Sequence, residues 1–160
     1  MDWDWRARPT YESDRLGVDG RLFPVVFYNM KQPRLVENHE VDLMLDSADS
    51  HLQRELPFVA LVLQRRGAGV IAARHRQTLA EWLVTRREAL VRSDHSLVVV
   101  VPESIHRAVL RVVYRFRKPP IRTITTPDAA SAAEAVRTEL RRMRQPVSVE
   151  IEGFLQTLAR

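Results

Sequence analysis

The sequence predicts an α/β domain built on a small, mostly parallel sheet. Three observations predict it. Two short, continuous apolar runs, Phe58–Leu63 and Leu97–Val101, have the character of strands covered on both faces. Segments with helical spacing lie between the strand-like segments, so the order alternates strand, helix, strand, helix. Proline and glycine punctuate most of the junctions. The expected architecture is a mixed sheet of four to five strands flanked by about four helices.

In chain order, residues 1–13 read as an N-terminal arm. In an extended arm Trp3 and Trp5, alternating with Asp2 and Asp4, would lie on one side, and the rings are expected to pack on their own domain. Asp14 to Gly20 reads as a turn, with Asp19-Gly20 as a hairpin signal. Leu22 to Tyr28 follows as a strand whose Pro24 belongs at an edge or a strand start. Val41, Met44, Leu45, Ala48 and Leu52 recur at helical spacing, predicting a helix over about Val36–Glu55 with Asn38 as cap.

Beyond Pro57 comes the strand Phe58–Leu63, then the loop Arg65-Arg66-Gly67-Ala68-Gly69. A long helix is expected from about Ile71 to Arg92, with Leu79, Trp82, Leu83 and Leu90 as its apolar stripe. His95–Val101 is the next strand. Ser104 is placed to cap a helix with Ile105, Ala108, Val109, Val112, Val113 and Phe116 on one face. Ile121–Thr126 is a shorter β-branched strand. A helix from Pro127-Asp128 through Met143 completes a domain spanning 14–145. In the tail, 146–160, Val147–Glu152 alternates like a strand and Phe154–Leu158 reads as a final helical turn.

Composition bounds the function. The chain has 160 residues, 45% of them hydrophobic and 28% charged, as in ordinary globular domains. No apolar stretch is long enough to span a bilayer, and the acidic, aromatic start lacks the features of a secretory signal. The absence of cysteine excludes disulfides, thiolate metal sites and cysteine nucleophiles. A cytoplasmic location is expected. The net charge of +5 is uneven: residues 1–56 hold seven basic and eleven acidic side chains, and residues 57–160 hold 18 and 9. Such a split can mark a binding face. Of the 25 basic residues only Lys31 and Lys118 are lysines, a bias that fits a GC-rich bacterial genome.

No constellation reads as catalytic. His39, Asp42, Asp46 and Asp49 share one helix face, but the pattern fits a solvated acidic face better than a cation site. The serines lack a nucleophile-elbow context. Arg65–Gly69 precedes a helix N-terminus at the carboxyl end of a buried strand, where open α/β sheets bind ligands. It lacks the Lys-Ser/Thr of a phosphate loop and the third glycine of a dinucleotide loop. No cofactor and no metal are expected. Arginines cluster on later helices (Arg107, Arg111, Arg115, Arg117, Lys118, Arg122, then Arg137, Arg141, Arg142, Arg144). Glutamates interleave with them and no stacking aromatics accompany them, which disfavours nucleic acid.

The pattern from about Phe23 to Met143 resembles the STAS domain family (sulfate transporter and anti-sigma-factor antagonist), in particular its divergent bacterial members. The carrying features are the strand Phe58–Leu63, the basic helix with Arg74 and Trp82, the strand Leu97–Val101 before a proline-preceded helix, and the strand Ile121–Thr126 before an Ala-rich helix. The resemblance implies a small sheet flanked by helices, used for protein–protein interaction in signalling. Antagonists of that family are switched by phosphorylation of a serine at the start of a helix. The matching stretch here, Arg65 to Gly69, has no Ser or Thr, so the resemblance implies a scaffold or regulator that is not phosphorylated there. The expected partner is another protein, with a homodimer as one form. The expected contact surface is Arg65, Arg66, Gly67, Gly69, Arg74, His75 and Arg76. The alternatives are a small ligand or nucleotide at the same loop, and nucleic acid on the arginine-rich helices.

Overall fold

A computed structural model describes residues 3–116 and 119–160, without the side chains of 109 and 112–116. Among the described residues it is an α/β domain with a six-stranded mixed sheet and six helices. The strands are β1 (Thr10–Glu12), β2 (Leu16–Asp19), β3 (Val25–Met30), β4 (Val59–Gln64), β5 (Ser96–Val100) and β6 (Arg122–Thr126). The helices are α1 (Asn38–Leu52), α2 (Ala73–Thr85), α3 (Arg87–Arg92), α4 (Ser104–Phe116), α5 (Ala129–Arg142) and α6 (Val149–Leu158). Strand order across the sheet follows the chain, β1-β2-β3-β4-β5-β6. The first three pair antiparallel, and β3 to β6 run parallel.

The parallel strands are covered on both sides, as their apolar runs require. Alternate residues of β3 and β4 enter two separate cores. Val26, Tyr28 and Met30 pack with Val41, Leu43 and Leu52 of α1 and Leu90 of α3. Val25, Val59 and Leu61 pack with Ala132, Ala133, Val136 and Leu140 of α5 and Ile151 and Leu155 of α6. The fully buried Ala132 and Ala133 suit the close approach of α5 to the sheet.

Two extra strands lie within the arm and turn expected at the N-terminus. Leu16 to Asp19 is β2, with Leu16 and Val18 buried, and β1 pairs along it as the edge strand. The arm does pack its rings on the domain. Trp5 is buried in the first core, and Trp3 meets Tyr11 edge to face at 5.6 Å while donating Nε1–H to the Arg8 carbonyl at 2.8 Å. The expected boundary at residue 13 therefore falls within the packed unit.

The tail is a helix rather than a strand. Ser148 caps α6 by accepting the Ile151 N–H at 3.2 Å, and Ile151 and Leu155, one turn apart, enter the second core. The alternation Val147–Glu152 misleads because the outer helix face also carries glutamates. Arg137 of α5 binds one of them, Glu152, through two bonds of 2.8 and 3.0 Å.

The single helix expected over 71–92 is two, parted at Arg86. Asp49 of α1 accepts bonds from Arg86 at 2.8 and 2.9 Å and from Trp82 Nε1 at 3.1 Å, which anchors the end of α2. Ser104 opens α4 as its first residue instead of capping it. The α4 stripe positions Val109, Val112, Val113 and Phe116, together with Arg115, Arg117 and Lys118, lie outside the described side chains. No helix among the described residues is long and apolar enough to cross a membrane.

Candidate binding rim and buried pocket

The carboxyl ends of the parallel strands open onto one rim of the sheet, where the loops 31–37, 65–72 and 101–103 lead into α1, α2 and α4. Two glycines shape the central loop, with φ of 75° at Gly67 and 82° at Gly69. These left-handed values favour residues without a Cβ. A Cβ at Gly69 would also run into the Arg34 guanidinium, so the first loop lies directly against the second. Gly67 donates its N–H to the Glu103 carboxylate at 2.8 Å, which ties the second loop to the third. That bond, foremost, holds the Glu103 carboxyl below its ordinary range.

The sequence-predicted contact residues divide by exposure. Arg65, Arg66, Gly67, Arg74 and Arg76 are exposed, and Gly69 is half-buried beside Arg34. Among the described residues, Arg65, Arg66 and Arg74 form no ion pair with a side chain. Arg76 bonds the Ile71 carbonyl at 2.7 Å and so braces the loop. His75 departs from expectation: it is only 2% exposed, with Nε2 2.8 Å from the Val36 carbonyl. It pins the start of α2 to the first loop from beneath and presents nothing at the surface. Its helical position, on the same face as Leu79 and Trp82, is the sequence signal that could have shown this.

Three apolar residues complete the rim, one per loop or the turn following it: Leu35 at 61% exposure, Val70 at 43% and Ile105 at 69%. Sequence reasoning missed the first two and placed Ile105 on a buried stripe. Arg34, also missed, is exposed beside Leu35.

Four of the clustered arginines of the second half are engaged within the fold. Arg122 and Arg142 bind Glu139 at 2.9 Å each, Arg142 also binds Asp94, and Arg137 binds Glu152 and Glu134. Arg107 donates to the carbonyls of Val101 and Pro102. On α1, Asp49 is held by Arg86 and Trp82, and no group of three metal-ligating side chains converges among the described residues.

A second feature has no counterpart in the sequence reading. Between β3–β5 and the helices α1, α2 and α3 lies a cavity of about 240 Å³, lined chiefly by apolar side chains. Tyr28, Gln64 and His95 are its chief polar residues. His95 packs 4.1 Å from the Phe58 ring, and His51 lies 5.7 Å from the same ring. Among the described residues, neither ring nitrogen of either histidine has a hydrogen-bond partner. Burial lowers the pKa of both to about 4, so both are neutral at pH 7. Burial also pushes the Tyr28 phenol up to about 12.

No family model, curated protein or solved structure matches the chain.

Proposed function

We propose that this domain is a non-enzymatic interaction module whose rim docks an acidic protein surface. The carrying observation is the composition of that rim: Leu35, Val70 and Ile105 stand exposed among Arg34, Arg65, Arg66 and Arg74 on three interlocked loops. Arginine beside exposed apolar side chains is the mixture found at protein interfaces, where a small apolar centre is ringed by charge. Nucleic acid would call for a broad cationic face, and Arg107, Arg122, Arg137 and Arg142 already serve internal carboxylates and carbonyls. Nucleotide binding at Arg65–Gly69 is disfavoured because the Gly67 N–H, a donor a phosphate would need, is held by Glu103.

A regulatory or scaffolding role is what the STAS resemblance adds to this reading. The partner would carry carboxylates around one or more apolar side chains. Association would weaken with salt, since exposed charges steer the encounter.

The test is Arg65→Glu with Arg66→Glu, compared with Leu35→Ser, in affinity capture from the source organism. Each variant should fold as the parent does and lose the same captured protein. Reversing both charges should weaken binding by roughly a hundredfold, on the order of 3 kcal/mol. An unchanged set of captured proteins for both variants would remove the rim as the docking surface.

A further inference from the structure

The cavity beneath α2 extends along a strand. Its lining begins at Phe58 and His95, near the amino-terminal ends of β4 and β5, and continues through Ala60 and Val62 to Gln64 at the carboxyl end of β4. Six residue steps at about 3.3 Å each make this path about 20 Å long. Leu45 and Ala48 of α1 and Leu79 and Leu83 of α2 form the opposite wall. An apolar cavity of roughly 150 Å³ stays dry and accepts a guest the size of benzene. Here about 240 Å³ is drawn out along a strand, a shape that suits a linear hydrocarbon better than a ring system.

The two ends differ in charge. At the Phe58 end the titratable neighbours His51 and His95 are 2% and 3% exposed, and their ring nitrogens carry no hydrogen bond among the described residues. The acidic neighbour of His95, Asp94, is taken by Arg142, and Arg54 lies over the Phe23 ring. At the other end the Gln64 amide is followed directly by the exposed Arg65 and Arg66, which form no ion pair among the described residues.

We propose that this cavity binds a free, medium-chain monocarboxylate, its hydrocarbon chain lying along β4 beneath α2 and its carboxylate held at Gln64 and Arg65. The apolar lining buries the chain, and arginine meets the carboxylate with paired N–H donors. The site shares Arg65 with the rim but none of Leu35, Val70 and Ile105, so Leu35→Ser and the cavity-filling variants distinguish failure of one reading from failure of the other.

The test uses the full chain and the uncharged fluorophore N-phenyl-1-naphthylamine, which brightens in apolar surroundings. The expected result is saturable binding at one probe per chain, with displacement by decanoate roughly tenfold stronger than by decanol, the ratio that about 1.4 kcal/mol of head-group interaction produces. Arg65→Glu with Arg66→Glu should abolish that preference while leaving the probe bound. Ala60→Leu should fill the cavity and weaken probe binding by roughly tenfold or more, while capture of a rim partner continues. Ala48→Leu, on the opposite wall, is the second filling variant and decides the matter should Ala60→Leu fail to fold. Absence of saturable probe binding, indifference to a folded filling variant, or equal displacement by decanol and decanoate would each overturn the proposal.

Discussion

Glu40 and Glu139 are both fully buried, and each joins elements distant in sequence. Glu40 accepts from Ser13 at 2.5 Å, Arg15 at 2.9 Å and the Glu37 N–H at 2.9 Å, fastening the β1–β2 hairpin to the start of α1. Glu139 accepts from Ser96 at 2.5 Å and from Arg122 and Arg142 at 2.9 Å, fastening α5 to β5 and β6. Burial by itself raises each pKa, but the donors outweigh it and the net direction is downward. Both carboxylates are therefore charged at neutral pH. Glu139→Ala should cost about 3 kcal/mol, measured by urea unfolding, because Ser96 loses its acceptor and two arginines lose their shared carboxylate. The partial exposure of Arg122 and Arg142 keeps the loss at the lower end of the range for broken buried pairs. Glu139→Gln keeps an acceptor and should cost less.

Each helix is placed by the face it offers rather than by its propensity. On α5, Ala132, Ala133, Val136, Leu140 and Met143 form one stripe against the second face of the sheet, and α6 adds Ile151 and Leu155 beside it. Removing residues 147–160 uncovers that stripe and strips Arg137 of Glu152. Two large buried side chains lost with their packing are worth about 5 kcal/mol or more, comparable with the whole stability of a domain this size. The truncated chain should lack a cooperative thermal transition by circular dichroism. A sharp transition near that of the full chain would mean that α6 is dispensable. The period-two pattern of Val147–Glu152 was legible as a strand only because the Ser148 cap and the waiting face of α5 lie outside the local sequence.

At the scale of the molecule, the buried imidazoles of His51 and His95 set the acid response. Their pKa values fall to about 4 in the fold against an ordinary 6.5, burial being the first cause for both, with Arg54 and His95 adding to it at His51. The unfolded chain thus binds more protons than the native one between these values. Stability is full above about pH 6.5 and falls as pH drops toward 4, by about 1.4 kcal/mol per pH unit for each imidazole. The Glu40 and Glu139 contributions, lying below their unfolded range, are lost only at lower pH. Urea midpoints measured from pH 7 to pH 4 should show this slope, and His95→Leu should halve it. A midpoint that stays flat down to pH 5 would mean that both rings find protons or partners in the folded chain.

The parallel half of the sheet was legible in the sequence because strands covered on both faces must be apolar throughout, and Val59–Gln64 and Ser96–Val100 carry that composition locally. Arg65 and Arg66 were legible as surface for the same local reason, charge following a buried strand. The short strands β1 and β2 were not, since a three-residue and a four-residue strand exist only through their pairing, β2 along β3 and β1 along β2. His75, Leu35, Val70 and the cavity belong to the tertiary structure alone. Whether an imidazole is buried, or an apolar side chain left in water, depends on which elements arrive above it, and those come from chain segments dozens of residues away.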